Sequence, residues 1–135
     1  MPNFKAVILV VEDNPIIRMG AVDLVMAAGF EVLEASDADQ AIRVLESRPD
    51  IHLVFTDVNM PGSMDGVKLA HYIRDRWPPV KLIVASGQTI IEENQLPAGA
   101  RFFRKPYDES SIVEAMTGML FDGTLGTAGA ARVVQ

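Results

Sequence analysis

The sequence predicts an α/β fold in which a five-stranded parallel sheet carries helices on both faces. Five short apolar segments alternate with five segments of helical pattern, which is typical of this class. The first apolar segment, residues 6–11, is an unbroken run of Ala, Val, Ile and Leu, as expected of a strand buried on both faces. The length of 135 residues suits a single core.

The first strand and helix have clear boundaries. After the strand at 6–11, Asn14 can cap a helix that has Pro15 in its first turn. Gly29 stands where a C-terminal glycine cap is expected, and the second strand follows at 30–35.

The second helix leads to a third strand. Ser36 or Asp37 can cap this helix, and Pro49 ends it. Residues 51–56 are again apolar and form the third predicted strand, which runs directly into Asp57.

The second half of the chain repeats this order. A third helix begins near Gly66 and stops at Trp77, which is followed by two prolines. The fourth strand covers 80–85, and residues 88–96 are predicted to form a short helix with a weak pattern.

The last strand and helix complete the predicted domain. The fifth strand is 101–104, and Asp108 caps a final helix that reaches Leu120. Beyond it the composition changes to mainly Gly, Ala and Thr, so residues 122–135 are predicted to be a flexible tail or a linker remnant.

Composition excludes several classes of function. The chain has no cysteine, which rules out disulfide, thiolate-metal and cysteine-nucleophile chemistry. Its formal net charge of −6 argues against direct nucleic-acid binding. We find neither a signal peptide pattern nor an apolar run long enough for membrane insertion, so a cytoplasmic protein is expected.

Polar side chains follow four of the five predicted strands. Glu12 and Asp13 come after the first strand, Asp57 after the third, Ser86 after the fourth and Lys105 after the fifth. Because the carboxyl ends of parallel strands meet at one edge of the sheet, we expect these side chains to lie together. Three carboxylates would repel one another and favour a hard cation such as Mg²⁺. A lysine and a hydroxyl suit an incoming phosphoryl group.

Each residue also has a purely structural explanation. Glu12 and Asp13 could stabilise the start of the next helix through its dipole. Asp57 and Ser86 could be turn residues, and Lys105 could be an ordinary solvated lysine. Five such coincidences at one edge are less plausible than one site.

These motifs resemble the receiver domain of two-component response regulators. The resemblance rests on Glu12-Asp13, the segment 57–61 (Asp-Val-Asn-Met-Pro), Ser86-Gly87 and Lys105-Pro106, and it covers residues 5–121. It implies a flavodoxin-like sheet of order 2-1-3-4-5 with about five flanking helices. It also implies a cis peptide bond between Lys105 and Pro106.

The resemblance further implies a role for each site residue. Asp57 would accept a phosphoryl group from a histidine kinase or histidine phosphotransfer protein in a phosphorelay. Glu12, Asp13, Asp57 and the backbone carbonyl of Asn59 would bind Mg²⁺. Ser86 and Lys105 would contact the phosphoryl group, and Ser86 and Phe102 would be the switch residues that alter a surface for a downstream protein target.

Two features depart from the family pattern. The loop between Met60 and Gly66 is one residue longer than the commonest version. Phe102 lacks the hydroxyl of the tyrosine often found at its position, so switching there would be a packing movement.

Other functions stay open at this stage. A Mg²⁺-dependent phosphohydrolase could use Asp57 as nucleophile, although Asn59 is a poor proton shuttle where such enzymes use a carboxylate. The site could also be vestigial. The chain could be a stand-alone regulator or a receiver cut from a hybrid histidine kinase, and a homodimer is equally open. We expect a signalling domain and not an enzyme.

Overall fold

The computed structural model describes residues 5–121. All five strands pair in parallel in the order β2-β1-β3-β4-β5, which confirms the predicted doubly wound sheet. The strands are Val7–Val11 (β1), Glu31–Ala35 (β2), Ile51–Asp57 (β3), Lys81–Ser86 (β4) and Arg101–Arg104 (β5). The helices are Pro15–Ala27 (α1), Ala38–Ser47 (α2), Gly66–Arg76 (α3) and Glu109–Phe121 (α4).

Two hydrophobic layers hold the helices against the sheet. Successive side chains of a strand point to opposite faces, so β1 contributes Leu9 to one layer and Ile8 to the other. The Leu9 layer packs against α2 and α3, whereas the Ile8 layer packs against α1 and α4. Residues of all three central strands are buried on both sides of the sheet, as the apolar runs predict.

The register of the sheet aligns the strand ends. Val11 at the end of β1 pairs with Thr56 of β3, and Asp57 pairs with Ala85 of β4. Ser86 in turn pairs with Arg104 of β5. The residues that follow these pairs therefore emerge side by side at the carboxyl edge.

The helix predicted at residues 88–96 is wrong. This segment contains only a single 3₁₀ turn, Glu93–Gln95. Ile91 and Leu96 are both buried, and their spacing of five residues does not place them on one face of an α-helix. The segment buries both side chains in an irregular path, so the described chain has four α-helices where about five were predicted.

Helix starts follow the predicted capping residues. The Asn14 side chain accepts hydrogen bonds from the amides of Ile16 and Ile17 at the start of α1. Asp37, and not Ser36, caps α2, and the carboxylate of Asp108 accepts from the Ser111 amide at the start of α4.

The predicted boundary at residue 121 stays a prediction. The proposed tail, residues 122–135, lies outside the described residues. Among residues 5–121, no helix is both long and apolar enough to cross a membrane. The Lys105–Pro106 peptide bond is cis, as the resemblance implies.

Gly66 is fixed by a close backbone approach beside the end of β3. A Cβ atom at this position would lie 2.1 Å from the backbone oxygen of Asp57. The Gly66 amide also donates to the carbonyl of Val58 over 2.9 Å. Because glycine has no side chain, α3 can begin in direct contact with the backbone of Asp57 and Val58.

We expect Gly66→Ala to destabilise the protein by about 1–3 kcal/mol, because the new methyl group meets rigid backbone. Gly118→Ala is the matched control, since nothing lies within 4 Å of its Cβ position in α4 and alanine favours helix. Chemical denaturation of both variants measures the difference. Equal free energies of unfolding for the two variants would show that the contact at Gly66 relaxes without cost.

Candidate functional site

Three carboxylates converge at the carboxyl edge of the sheet, as predicted. One oxygen each from Glu12, Asp13 and Asp57 lies within 4.8 Å of the others. The Glu12 side chain is 8% exposed and that of Asp57 is 10% exposed, whereas Asp13 is open to solvent. The group is thus anchored in the fold on one side and reachable on the other.

Lys105 supplies the positive charge that contacts this group. Its Nζ lies 2.8 Å from Asp57 Oδ1 and 3.2 Å from Glu12 Oε1. The backbone amide of Lys105 donates to the Ser86 carbonyl over 2.9 Å, which fixes the start of its side chain beside β4. One lysine therefore bridges the ends of β1 and β3 from the end of β5.

Burial and charge shift two pKa values at this site. Burial raises the pKa of Glu12, and the Asp57 charge adds to the rise. The Asn14 amide and Lys105 act in the opposite direction without cancelling it. For Lys105, burial alone would lower the pKa, but the hydrogen bond to Asp57 and the two acidic charges outweigh it and raise the pKa.

The donor set fits a hard divalent cation. All three converging groups offer carboxylate oxygens, the ligand type that such cations prefer. Burial is the main cause of the raised pKa of Glu12, and repulsion from Asp57 adds to it. The residues present therefore form a site that a cation would stabilise.

Ser86 lies next to this group but is fully buried, and its hydroxyl is already hydrogen-bonded. Its Oγ donates to Asn59 Oδ1 over 3.1 Å and accepts from the Thr89 amide over 3.0 Å. Asn59 Nδ2 donates to Thr89 Oγ1 over 3.2 Å. The three residues close a ring of hydrogen bonds that joins the loop after β3 to the loop after β4.

The comparison with known families agrees with this geometry. The model of the response regulator receiver domain matches residues 8–117. The chain belongs to this family. It is a receiver domain of the two-component systems.

Curated relatives include a chemotaxis protein and a much longer sensor kinase. The chain is 36% identical to the chemotaxis protein CheY of Thermotoga maritima, over 81% of this chain and 92% of that protein. It is 33% identical to the sensor kinase CckA of Brucella abortus, over 86% of this chain. It spans 13% of the length of that kinase.

A solved receiver structure supports the same assignment. The receiver domain of a hybrid histidine kinase CckA has a TM-score of 0.71 and 34% identity. The match covers 85% of this chain and 99% of that domain. The arrangement of strands is therefore that of the family.

Phe102 occupies its predicted place in β5 but touches the core more than the site. It is half-buried against the layer that contains α2 and α3. It pairs in register with Val84 of β4. A switching role for Phe102 stays a prediction.

The loop between Met60 and Gly66 is hydrogen-bonded to α2. The Ser63 hydroxyl donates to Asp39 Oδ1 over 2.6 Å. Gly62 has φ of +106°, a conformation that side-chain-bearing residues rarely adopt. The Ser63 hydrogen bond therefore connects this loop to the start of α2.

Several supporting residues are not evident from the sequence pattern. Arg18 Nη1 donates to the Glu12 carbonyl over 2.8 Å, and the Asn14 amide donates to Glu12 Oε2 over 3.1 Å. Tyr107 packs its ring 5.8 Å from that of Phe55, beside Lys105. The sequence places Arg18 in the first turn of the helix that begins beside the end of β1. This position was the signal that could have identified Arg18 as a supporting residue.

We expect Glu12→Gln to raise the free energy of unfolding at pH 7 in buffer with a chelator. The folded pKa of Glu12 is raised, so its contribution to stability is full below the unfolded value near 4.5 and is lost as pH rises through the folded pKa. Glutamine avoids this loss. The advantage of the variant should therefore shrink as pH falls towards 4.

Denaturation curves between pH 4 and pH 8 measure this difference. Glu114→Gln, which removes one exposed acid from α4, controls for the change in net charge. A Glu12→Gln protein that is less stable than the parent at pH 7 would contradict the prediction.

Proposed function

We propose that this receiver accepts a phosphoryl group on Asp57 and thereby changes a protein-contact surface. The observation that carries the proposal is the contact of the Asp57 carboxylate with Lys105 inside an acidic cluster, in a chain of the receiver family. Asp57 is the central member, because it ends β3 in the middle of the sheet. It is also partly exposed, as an acceptor must be.

The transfer would make one bond and break one. A carboxylate oxygen of Asp57 attacks phosphorus, and the bond from phosphorus to the imidazole nitrogen of a phosphohistidine breaks. The imidazole leaves with the electron pair of that bond, and Asp57 becomes an acyl phosphate. Such a step depends on positioning and charge neutralisation more than on covalent help from the protein.

Glu12, Asp13, Asp57 and the backbone carbonyl of Asn59 would hold Mg²⁺ in this scheme. When bound, the ion neutralises negative charge on the carboxylates and on the incoming phosphoryl oxygens. The convergence of three carboxylate oxygens supports its placement here. The Asn59 carbonyl follows β3 by two residues and so lies at the same edge.

Lys105 and Ser86 would receive the transferred group. Lys105 already contacts the Asp57 carboxylate and can turn its ammonium to a phosphoryl oxygen. The acyl phosphate carries about −1.5 to −2 charges in total, by analogy with other phosphorylated side chains. Ser86 has to redirect its hydroxyl to reach the same group, since its proton is now shared with Asn59.

The partners follow from this role. A histidine kinase or a histidine phosphotransfer protein would be the donor, and a downstream protein would read the altered surface in the cytoplasm. The domain would assist its own phosphorylation and dephosphorylation without acting as an enzyme on other substrates. The described residues contain no second domain that could read the signal in the same chain.

Two contexts fit this function, a stand-alone receiver and a receiver within a longer kinase. The relative CheY is matched over 92% of its length, whereas CckA is matched over 13%. A homodimer stays a prediction.

We expect incubation with Mg²⁺ and acetyl phosphate to add one phosphoryl group to the protein. Intact-mass spectrometry measures the gain. Asp57→Asn should show none, because an amide cannot form the acyl phosphate. Asp75→Asn, in α3, is the matched control and should gain mass like the parent.

Two outcomes would overturn this function. One is the absence of any mass gain in the parent, and the other is an undiminished gain in Asp57→Asn. Repeated turnover of a phosphomonoester substrate would instead support the phosphohydrolase.

We expect Mg²⁺ affinity to fall at least about tenfold in Asp13→Asn, since one of three converging carboxylates loses its charge. Isothermal titration calorimetry gives the affinity. Asp23→Asn, an exposed acid of α1 outside the cluster, should bind like the parent. Equal affinity of the Asp13→Asn protein and the parent would exclude Asp13 as a ligand.

A further inference from the structure

Asn59, Ser86 and Thr89 form a ring of hydrogen bonds in which the Ser86 hydroxyl is a donor to Asn59. A serine hydroxyl carries one proton and can therefore donate to one acceptor at a time. In this structure that proton goes to Asn59 Oδ1, and the hydroxyl oxygen accepts from the Thr89 amide. We call these three residues the hydroxyl ring.

Burial makes the ring more than a surface contact. The Ser86 side chain is fully buried and therefore depends on its protein partners, whereas Asn59 and Thr89 are exposed. Asn59 is held from a second side, because its Nδ2 donates to Thr89 Oγ1. An asparagine fits this place since it offers an acceptor and a donor at once.

The ring fastens the start of the irregular segment that follows β4. The other end is fastened separately by α3, where His71 Nε2 lies 2.8 Å from the Gln95 carbonyl and Arg74 Nη1 donates to that of Ala98. Between the two ends, Ile90 is 66% exposed and Ile91 is buried. Residues 87–91 therefore lie between these two sets of hydrogen bonds, with Ile91 held in the core.

We propose that Asn59 and Thr89 are positioning residues that hold the Ser86 hydroxyl away from the phosphoryl site until Asp57 is modified. The inference rests on the proposed function of Asp57. To donate to a phosphoryl oxygen, Ser86 must give up Asn59, and the ring then opens. Turning the Ser86 side chain towards that oxygen also moves Oγ away from the Thr89 amide, so Asn59 and Thr89 set how readily Ser86 reaches the phosphoryl group.

The ring therefore opposes the phosphorylated state by the free energy of the hydrogen bonds that it loses. A hydrogen bond of this kind contributes about 0.5–1.5 kcal/mol net, which corresponds to about a two- to tenfold change in affinity. Removing the ring should favour binding of a phosphoryl analogue by that factor. The effect should require the Ser86 hydroxyl, because Asn59 and Thr89 act through it.

The test is a titration of the full chain with beryllofluoride, an analogue of the phosphoryl group, at saturating Mg²⁺. Backbone amide signals of Gly87 and Thr89 in nuclear magnetic resonance spectra report binding and movement. We expect Asn59→Ala to bind about two- to tenfold more tightly than the parent. Thr89→Val should show a smaller gain in affinity, since it removes only the hydrogen bond from Asn59 Nδ2. Thr89→Ser keeps the hydroxyl and should bind like the parent.

A second background separates positioning from a general structural effect. In Ser86→Ala protein, adding Asn59→Ala should leave the affinity unchanged, because the hydroxyl through which it acts is gone. Ser63→Ala is the control for the neighbouring loop, as it removes a hydrogen bond to Asp39 outside the ring. It should bind like the parent.

Hydrogen exchange in the absence of beryllofluoride tests the ring itself. The Thr89 amide donates to Ser86 Oγ, so it should exchange faster in Ser86→Ala than in the parent. Equal exchange rates would show that the ring is not formed, and the proposal would fall whatever Asp57 does.

The remaining outcomes are also decisive. Unchanged affinity in Asn59→Ala, or an equal gain in the Ser86→Ala background, would overturn the positioning role while leaving phosphorylation of Asp57 intact. Failure of the parent to bind beryllofluoride would overturn the proposed function, and the coupling with it, even where exchange shows the ring to be present.

Discussion

Electrostatic repulsion among Glu12, Asp13 and Asp57 is the constraint on which the site depends. Their oxygens lie within 4.8 Å of one another, and two of the side chains are nearly buried. Lys105 compensates part of this repulsion through two ion pairs, yet burial, with a smaller contribution from Asp57, keeps the pKa of Glu12 raised. Such an arrangement would be a poor choice for stability alone. It makes sense where a cation and an anionic group are to be bound in turn.

The parallel sheet makes this concentration of charge possible. Its residues come from the ends of β1, β3 and β5, which are separated along the chain by more than 40 residues each. The pairings of Val11 with Thr56 and of Asp57 with Ala85 bring them to one edge. Two hydrophobic layers hold that register, because a slip of one residue would turn buried side chains to the opposite face.

The sequence predicted the parts of the molecule in which local pattern and packing agree. Apolar runs such as residues 6–11 marked the buried strands, and the polar residues after them marked the site. Residues 88–96 were predicted incorrectly, because tertiary contacts decide their path. Ile91 and Leu96 are buried in the core, and His71 of α3 is hydrogen-bonded to the Gln95 carbonyl. The hydrogen bonds between Asn59, Ser86 and Thr89 were likewise hidden, since side-chain pairing across two loops leaves no periodicity.

The residue at position 59 shows how charge and hydrogen bonding act together at this edge. An aspartate there would accept from the hydroxyls of both Ser86 and Thr89, so hydrogen bonding alone does not exclude it. It would also place a fourth negative charge close to three carboxylates that one lysine only partly compensates. Asparagine completes the ring without adding that charge. The Ser86 hydroxyl thus stays hydrogen-bonded to Asn59. The excess negative charge of the three carboxylates stays available to a cation.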